Sequence, residues 1–325
     1  MKKRLAKFLT LMISAVLVFS TVLVAGCSSQ PKEKIKIAAL KGPTGMGLVK
    51  LMEENQDLYE ITLYDSPDQI VSKIVTGEID GAAIPSNLAP ILYTKTQKKI
   101  KLTNVTTMGV LYIVEKGNSV KSIADLKGKT IYASGKGSTP EFVLNYILKQ
   151  NGLEPDVDVK IEWKSDHATI SAAVASGEAA IALLPEPFVT TTKAKVPNLS
   201  VPVDMTTEWS KVAGNNSELI MGAFVMTTNI IDTRKADVDK FLEKYKASVD
   251  YVNQNPKEAS ELIAKYTILP NAAVAQAAIP GSHIVFTSAQ DAKKSLEGFF
   301  TVLKNSDPAS IGGSLPDENF YYTGK

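Results

Sequence analysis

The chain has 325 residues, 44% hydrophobic and 22% charged, with 20 glycines and 16 prolines. That composition excludes a disordered, collagen-like or coiled-coil protein and allows one large domain or two of ordinary size, either with room for a real core. The formal charge of +2 arises at the N-terminus: Lys2, Lys3, Arg4 and Lys7 precede every acidic residue, and the other 32 of the 36 basic residues face 34 acidic ones, a net of −2, which argues against a nucleic-acid-binding surface.

Residues 8–26 follow those cations as an uncharged apolar run ending in Leu23-Val24-Ala25-Gly26-Cys27. A basic start, an apolar stretch and small residues at its end have the layout of an export signal over 1–26. The competing reading is a retained anchor, since a run of this length can just span a bilayer. The small pair directly before the only cysteine favours cleavage, and Leu-Val-Ala-Gly-Cys resembles the lipobox of bacterial lipoproteins. That resemblance implies that Cys27 is acylated and tethers the chain to the membrane. Residues 28–34 are polar and without periodicity, so 27–34 reads as the lipidated cysteine and a flexible tether.

From Ile35 the chain alternates strand-like and helix-like segments. Ile35-Lys36-Ile37-Ala38-Ala39-Leu40 is an apolar strand, residues 41–47 a glycine-rich loop, and Leu48 opens a helix with apolar residues at helical spacing. Residues 59–64 form the next strand. Asp65-Ser66-Pro67 starts a helix that runs to Val75, and Gly77-Glu78 turns the chain into the strand Ala82-Ala83-Ile84. Strand, loop, helix and strand at these short intervals predict an α/β fold with a mainly parallel sheet.

Residues 70–85 align without a gap with residues 170–185, with Gly77-Glu78 matching Gly177-Glu178 and Pro85 matching Pro185. Upstream, residues 130–140 repeat the first strand and glycine-rich loop, and residues 159–166 repeat the second strand and helix start. The chain is therefore expected to hold two similar lobes, whether by duplication or by convergence on a common unit. Two β-rich runs, 105–114 around Gly109 and 219–228 around Gly222, are expected to carry the chain into the second lobe and back as a two-strand hinge. The lobes are placed at 35–107 with 223–325, and at 108–222. Residues 235–253, 256–266 and 289–304 read as helices packed on the first lobe.

A lipobox, two α/β lobes, two crossovers and a helical tail together resemble a type II periplasmic-type solute-binding protein of an ABC importer. The Gly-Glu-(x)-Asp/Ala-Ala-apolar-Pro pattern and the run Leu184-Pro185-Glu186-Pro187-Phe188 resemble the group that binds sulfonates, taurine, nitrate and thiamine precursors. The resemblance implies a receptor on the extracytoplasmic face of the membrane that passes a small molecule to a permease. It implies no cofactor, no enzymatic activity and a monomeric state.

Physical reasoning places the ligand beyond the carboxyl ends of the strands, where loops enter helix N-termini. Unpaired N–H groups and a partial positive charge there suit anionic or strongly polar groups. Four loops supply candidates. Lys41, Thr44, Gly45 and Met46 lie in the first, Ser86 and Asn87 in the second, Gly137, Ser138 and Thr139 in the third, and Glu186 in the fourth. Tyr64, Trp163 and Phe188 are candidate apolar walls, and Lys136 a further cation. Each hydroxyl could equally be a helix cap, and each aromatic ring plain packing.

Sharper motifs fail. Residues 42–47 have the glycine spacing of a phosphate loop, but Leu48-Val49 stand where Lys and Ser/Thr are required. His167 and His283 lack ligand-spaced neighbours, so a metal site is not expected. Arginine occurs only at positions 4 and 234, which leaves no arginine clamp for a carboxylate. Two rival readings remain at this level: a ligand-sensing lipoprotein for a membrane receptor, and an enzyme on the same fold.

Overall fold

In the computed structural model, which describes residues 33–324, the chain divides after Lys34, and a compact unit begins at Ile35. The export signal, Cys27 and residues 28–32 of the tether lie outside the described residues. Among the described residues no helix is long and apolar enough to cross a membrane.

The first stretch runs β1 (Ile35–Leu40), α1 (Pro43–Met46), α2 (Val49–Glu54), β2 (Tyr59–Tyr64), α3 (Pro67–Thr76), β3 (Gly81–Pro85), α4 (Leu88–Lys95) and β4 (Ile100–Met108). The second runs β5 (Leu111–Glu115), β6 (Thr130–Ser134), α5 (Thr139–Gln150), β7 (Lys160–Lys164), α6 (His167–Ser176), β8 (Ile181–Pro185), α7 (Phe188–Lys195), β9 (Ser200–Asp204) and α8 (Met205–Val212). The last holds β10 (Ile220–Thr227), α9 (Thr228–Thr233), α10 (Lys235–Gln254), α11 (Pro256–Lys265), α12 (Ala272–Ala278), β11 (Ile284–Ser288) and α13 (Ala289–Ser306).

Two sheets result, in the orders β11-β4-β10-β3-β1-β2 and β7-β6-β8-β5-β9. The strands that alternate with helices pair in parallel, β1 with β2 and β3, and β6 with β7 and β8. β4, β5, β9, β10 and β11 pair antiparallel with their neighbours. The sheets are therefore mixed rather than mainly parallel. The cause is connectivity: a strand that leaves or re-enters a sheet without a covering helix has no right-handed crossover to impose parallel pairing.

The internal repeat is a repeat of caps as well as of strands. Ser66 and Gln69 form a capping box at the start of α3, where Pro67 takes the first helical position, and Asp166 caps α6 through the Thr169 N–H at 2.7 Å. Both helices end on a left-handed glycine, Gly77 at φ 75° and Gly177 at φ 86°. Matched punctuation gives both units the same strand–helix–strand geometry.

The first passage between sheets takes only Gly109 and Val110, between β4 and β5. The return falls ahead of Ile220, so β10 belongs wholly to the first sheet. The tail read as helical from the sequence contains one strand, β11, which is short and whose apolar face is only partly covered. The tail also does more than cover the first sheet. On α13, Phe299 lies 5.4 Å from Trp209 of α8, whose ring lies 5.2 Å from that of Tyr146 on α5. One apolar core consequently runs from Leu88, Leu102 and Phe300 through Trp209 to Leu144 and Ile131.

The seam is tight. A Cβ at Gly298 on α13 would lie 1.9 Å from the Asn216 carbonyl oxygen. Gly298→Ala should therefore destabilise the protein: overpacking costs about 1–3 kcal/mol, against a helix-propensity gain of at most about 1 kcal/mol. A lower urea midpoint with an unchanged m value is the expected result, and a raised midpoint would contradict this packing.

Candidate functional site

Between the two sheets lies a cavity of about 120 Å³. Leu40, Lys41, Thr44 and Asp65 line it at the carboxyl ends of β1 and β2, and Ser134, Ser138, Asp166, His167 and Phe188 line it from beyond β6, β7 and β8. Thr107, Val110, Met221 and Gly222, from the segments that pass between the sheets, form its floor. Five lining residues are prolines, Pro43, Pro67, Pro85, Pro140 and Pro185, and offer no N–H to a ligand.

Of the residues expected from sequence, Lys41, Thr44, Ser138 and Phe188 line the cavity. Lys41 reaches Asp65 at 2.9 Å. The Thr44 hydroxyl donates to Leu40 O at 2.9 Å and that of Ser138 to Gly135 O at 2.6 Å. Gly45 and Met46 stand behind the wall: a Cβ on Gly45 would approach Leu40 O to 2.8 Å, and Met46 is fully buried in the core beside Phe224. Tyr64 and Trp163 pack against the core from partly buried positions and do not line the cavity. The Gly137 N–H donates to Glu141 at 2.5 Å, and Lys136 lies exposed outside the cavity.

Ser86, Asn87 and Thr139 do a different job. All three are fully buried and bonded to each other across the sheets. Thr139 Oγ1 donates to Asn87 Oδ1 at 3.0 Å, Asn87 Nδ2 donates to Ser310 O at 3.0 Å, and the Ser86 hydroxyl donates to Ile220 O at 2.5 Å. Buried side chains satisfied in this way join the helix starts of the two sheets and the C-terminal segment. Glu186 also turns inward, accepting from Thr190 N–H at 3.0 Å and from its hydroxyl at 2.9 Å, beside Gly281. Burial pushes its carboxyl above the usual range, against the opposing pull of those bonds and of Lys193 and His283.

The residues that sequence reasoning missed are His167, Asp166, Ser165, Ser134 and Asp65. The His167 Nδ1 lies 2.6 Å from the Ser134 hydroxyl, and its ring packs 5.3 Å from that of Phe188 at 44°. Burial pushes the imidazole down to about 4, only partly offset by Asp166. The Asp166 carboxyl, in turn, stays below its ordinary value: burial would raise it, but bonds from Thr169 N–H and from the Ser165 and Thr169 hydroxyls outweigh that. The repeat held a usable signal, because Ser165, Asp166 and His167 occupy the offset-matched places of Asp65, Ser66 and Pro67.

The imidazole gives a pH test. The unfolded chain takes up its proton near pH 6.5 and the folded one only near pH 4, so stability from this group is full above pH 6.5 and falls as pH drops toward 4. Between pH 7 and pH 5 this amounts to about 2 kcal/mol at most. Urea titrations should show the wild type losing more stability over that interval than His167→Gln; equal losses would contradict a buried neutral imidazole.

Residues 50–212 match the family described as ABC transporter, phosphonate, periplasmic substrate-binding protein. A Brucella abortus protein named as a binding protein is 25% identical over 179 residues, covering 54% of this chain and 52% of the relative. The chain thus matches about half the length of its Brucella relatives. A crystal structure of an ABC transporter from Parabacteroides distasonis superposes with a TM-score of 0.74 and 25% identity, over 89% of this chain and 99% of that one. The periplasmic aliphatic sulphonate binding protein SsuA of Escherichia coli gives a TM-score of 0.66 at 18% identity, over 90% and 92% of the two chains, and shares the fold. With the family match spanning half of its length and the two-sheet architecture common to these structures, this chain belongs to the periplasmic substrate-binding protein family of ABC transporters.

Proposed function

We infer that this chain is the solute receptor of an ABC importer, held at the extracytoplasmic face of the membrane by a lipid on Cys27. The observation that carries this reading is the cavity walled by both sheets, since a molecule seated there touches Lys41 and Thr44 on one side and Ser138, His167 and Phe188 on the other. A ligand bound across two bodies stabilises the arrangement that brings them together. The lobes, expected at 35–107 with 223–325 and at 108–222, are taken as 35–108 with 220–325 and as 109–219, because Met108 and Ile220 to Gly222 lie in strands of the first sheet, and they move about Gly109-Val110 and the return before Ile220. Delivery then requires a permease that docks on the outer surfaces of both lobes. The receptor acts as a monomer and performs no chemistry on its cargo.

Phe188 and Met221 supply apolar walls and the hydroxyls supply orientation, the usual division of labour in a small-molecule site. The test is a thermal-shift screen of the full chain in detergent against sulfonates, phosphonates, nitrate, pyrimidines and amines. A ligand at a hundred times its dissociation constant adds about 2.7 kcal/mol of stability. One responding class supports the receptor reading, and a flat response from a folded, ligand-free protein counts against it. The anchor is tested separately: Cys27→Ser should move the chain from the membrane fraction to the soluble fraction while keeping the ligand-induced rise in melting temperature.

A further inference from the structure

The charge and hydrogen-bonding character of the cavity departs from what a periplasmic anion receptor requires, and this deepens the receptor reading on which it rests. Four helices that start near the intersheet space carry an acidic residue at or before the first turn, of which only Asp166 lines the cavity, while α1, whose Pro43 and Thr44 also line it, has none. Asp68 lies in the first turn of α3, Glu141 in the first turn of α5, Asp166 caps α6, and Glu186 accepts from the backbone of α7. A helix N-terminus is worth roughly half a positive charge, so the Asp166 carboxylate at the start of α6 more than offsets that helix end. Lys41 is the one Lys or Arg among the described lining residues, and Asp65 pairs with it at 2.9 Å. Asp166 remains, and the His167 ring beside it is neutral at ordinary pH.

The hydroxyls point the same way. Those of Thr44, Ser138 and Ser165 donate to Leu40 O, Gly135 O and Asp166 Oδ2. With their protons committed to the protein, these oxygens have only lone pairs to offer. Asp166 accepts three hydrogen bonds, from Thr169 N–H, the Thr169 hydroxyl and the Ser165 hydroxyl, which leaves one of about four acceptor positions on a carboxylate. Five prolines withhold backbone donors. The cavity offers acceptors on these hydroxyls and on Asp166, keeps donors on Lys41 and on the Ser134–His167 pair, and is bounded on one side by the Phe188 ring.

We propose that the cavity takes a small nitrogenous cation, with a protonated amine or amidinium-type group directed at Asp166 and an apolar or aromatic body against Phe188 and Met221. A dianionic phosphonate or a sulfonate would face the Asp166 carboxylate, which no lysine or arginine of the lining pairs.

The experiment measures binding of benzylamine, benzamide, benzoate and benzylphosphonate to the full chain in detergent by calorimetry. These probes share a ring and run from cationic through neutral to dianionic. Benzylamine should bind tightest, and Asp166→Asn should weaken it by roughly tenfold to a hundredfold while leaving benzamide nearly unchanged. Asparagine keeps the cap to the Thr169 N–H but cannot accept from the Ser165 and Thr169 hydroxyls at the other oxygen, so the unliganded variant should stay folded and melt somewhat below the wild type, and affinities are compared on the folded protein. Benzoate or benzylphosphonate binding as tightly as benzylamine overturns the proposal and leaves the receptor reading standing. So does an Asp166→Asn variant that keeps full affinity for benzylamine. If none of the four binds at millimolar concentration, the cation proposal falls, and the wider solute screen decides the receptor reading separately.

Discussion

The antiparallel ladder between β4 and β10 is the constraint on which the rest of the molecule depends. It lies in the middle of the first sheet, and its two strands are also the two that connect to the second sheet, one through Gly109-Val110 and the other from α8. Pairing from Ile220 opposite Met108 to Thr227 opposite Ile100, with register shifts between Ile220 and Ala223 and between Phe224 and Val225, fixes where both connections emerge. The carboxyl ends of β1, β2 and β3 meet those of β6, β7 and β8 across one cavity as a consequence.

That ladder alone would leave the second sheet free to swing. The apolar seam of Trp209, Phe299 and Tyr146 and the buried bonds among Asn87, Thr139 and Ser310 add a second connection, remote from the crossing strands. Any movement of one sheet against the other has to pivot about this seam or break it. Breaking it would expose large aromatic surface and strand buried polar groups, each costly.

The strand–helix punctuation was legible in the sequence because it is local. Ser66, Asp166, Gly77 and Gly177 act on their own helix ends, and their offset of one hundred residues shows in the letters. Much of the candidate site was less legible. Ser86, Asn87 and Thr139 are hydroxyl and amide residues at helix starts, the pattern expected of ligand contacts, yet they bind each other. Nothing local distinguishes the two fates, since the partner lies about fifty residues away. His167 was set aside as a metal ligand and not expected in the cavity for the same reason: its place there comes from Ser134 and Phe188, on other elements.

By itself, then, the sequence determined what depends on near neighbours and on hydrophobic period: the export-signal pattern, the repeated strand–helix units, the caps that end them and the two β-rich crossing segments. The tertiary structure alone decided the mixed pairing of the sheets, the reach of α13 onto α8, the roles of the helix-start residues and the meeting of Ser134, Asp166, His167 and Phe188 in one cavity. Those properties are sums over residues distant in sequence. Side-chain protons, charges and ring faces acquire a direction only once the sheets are set against each other, and direction is what a binding site consists of.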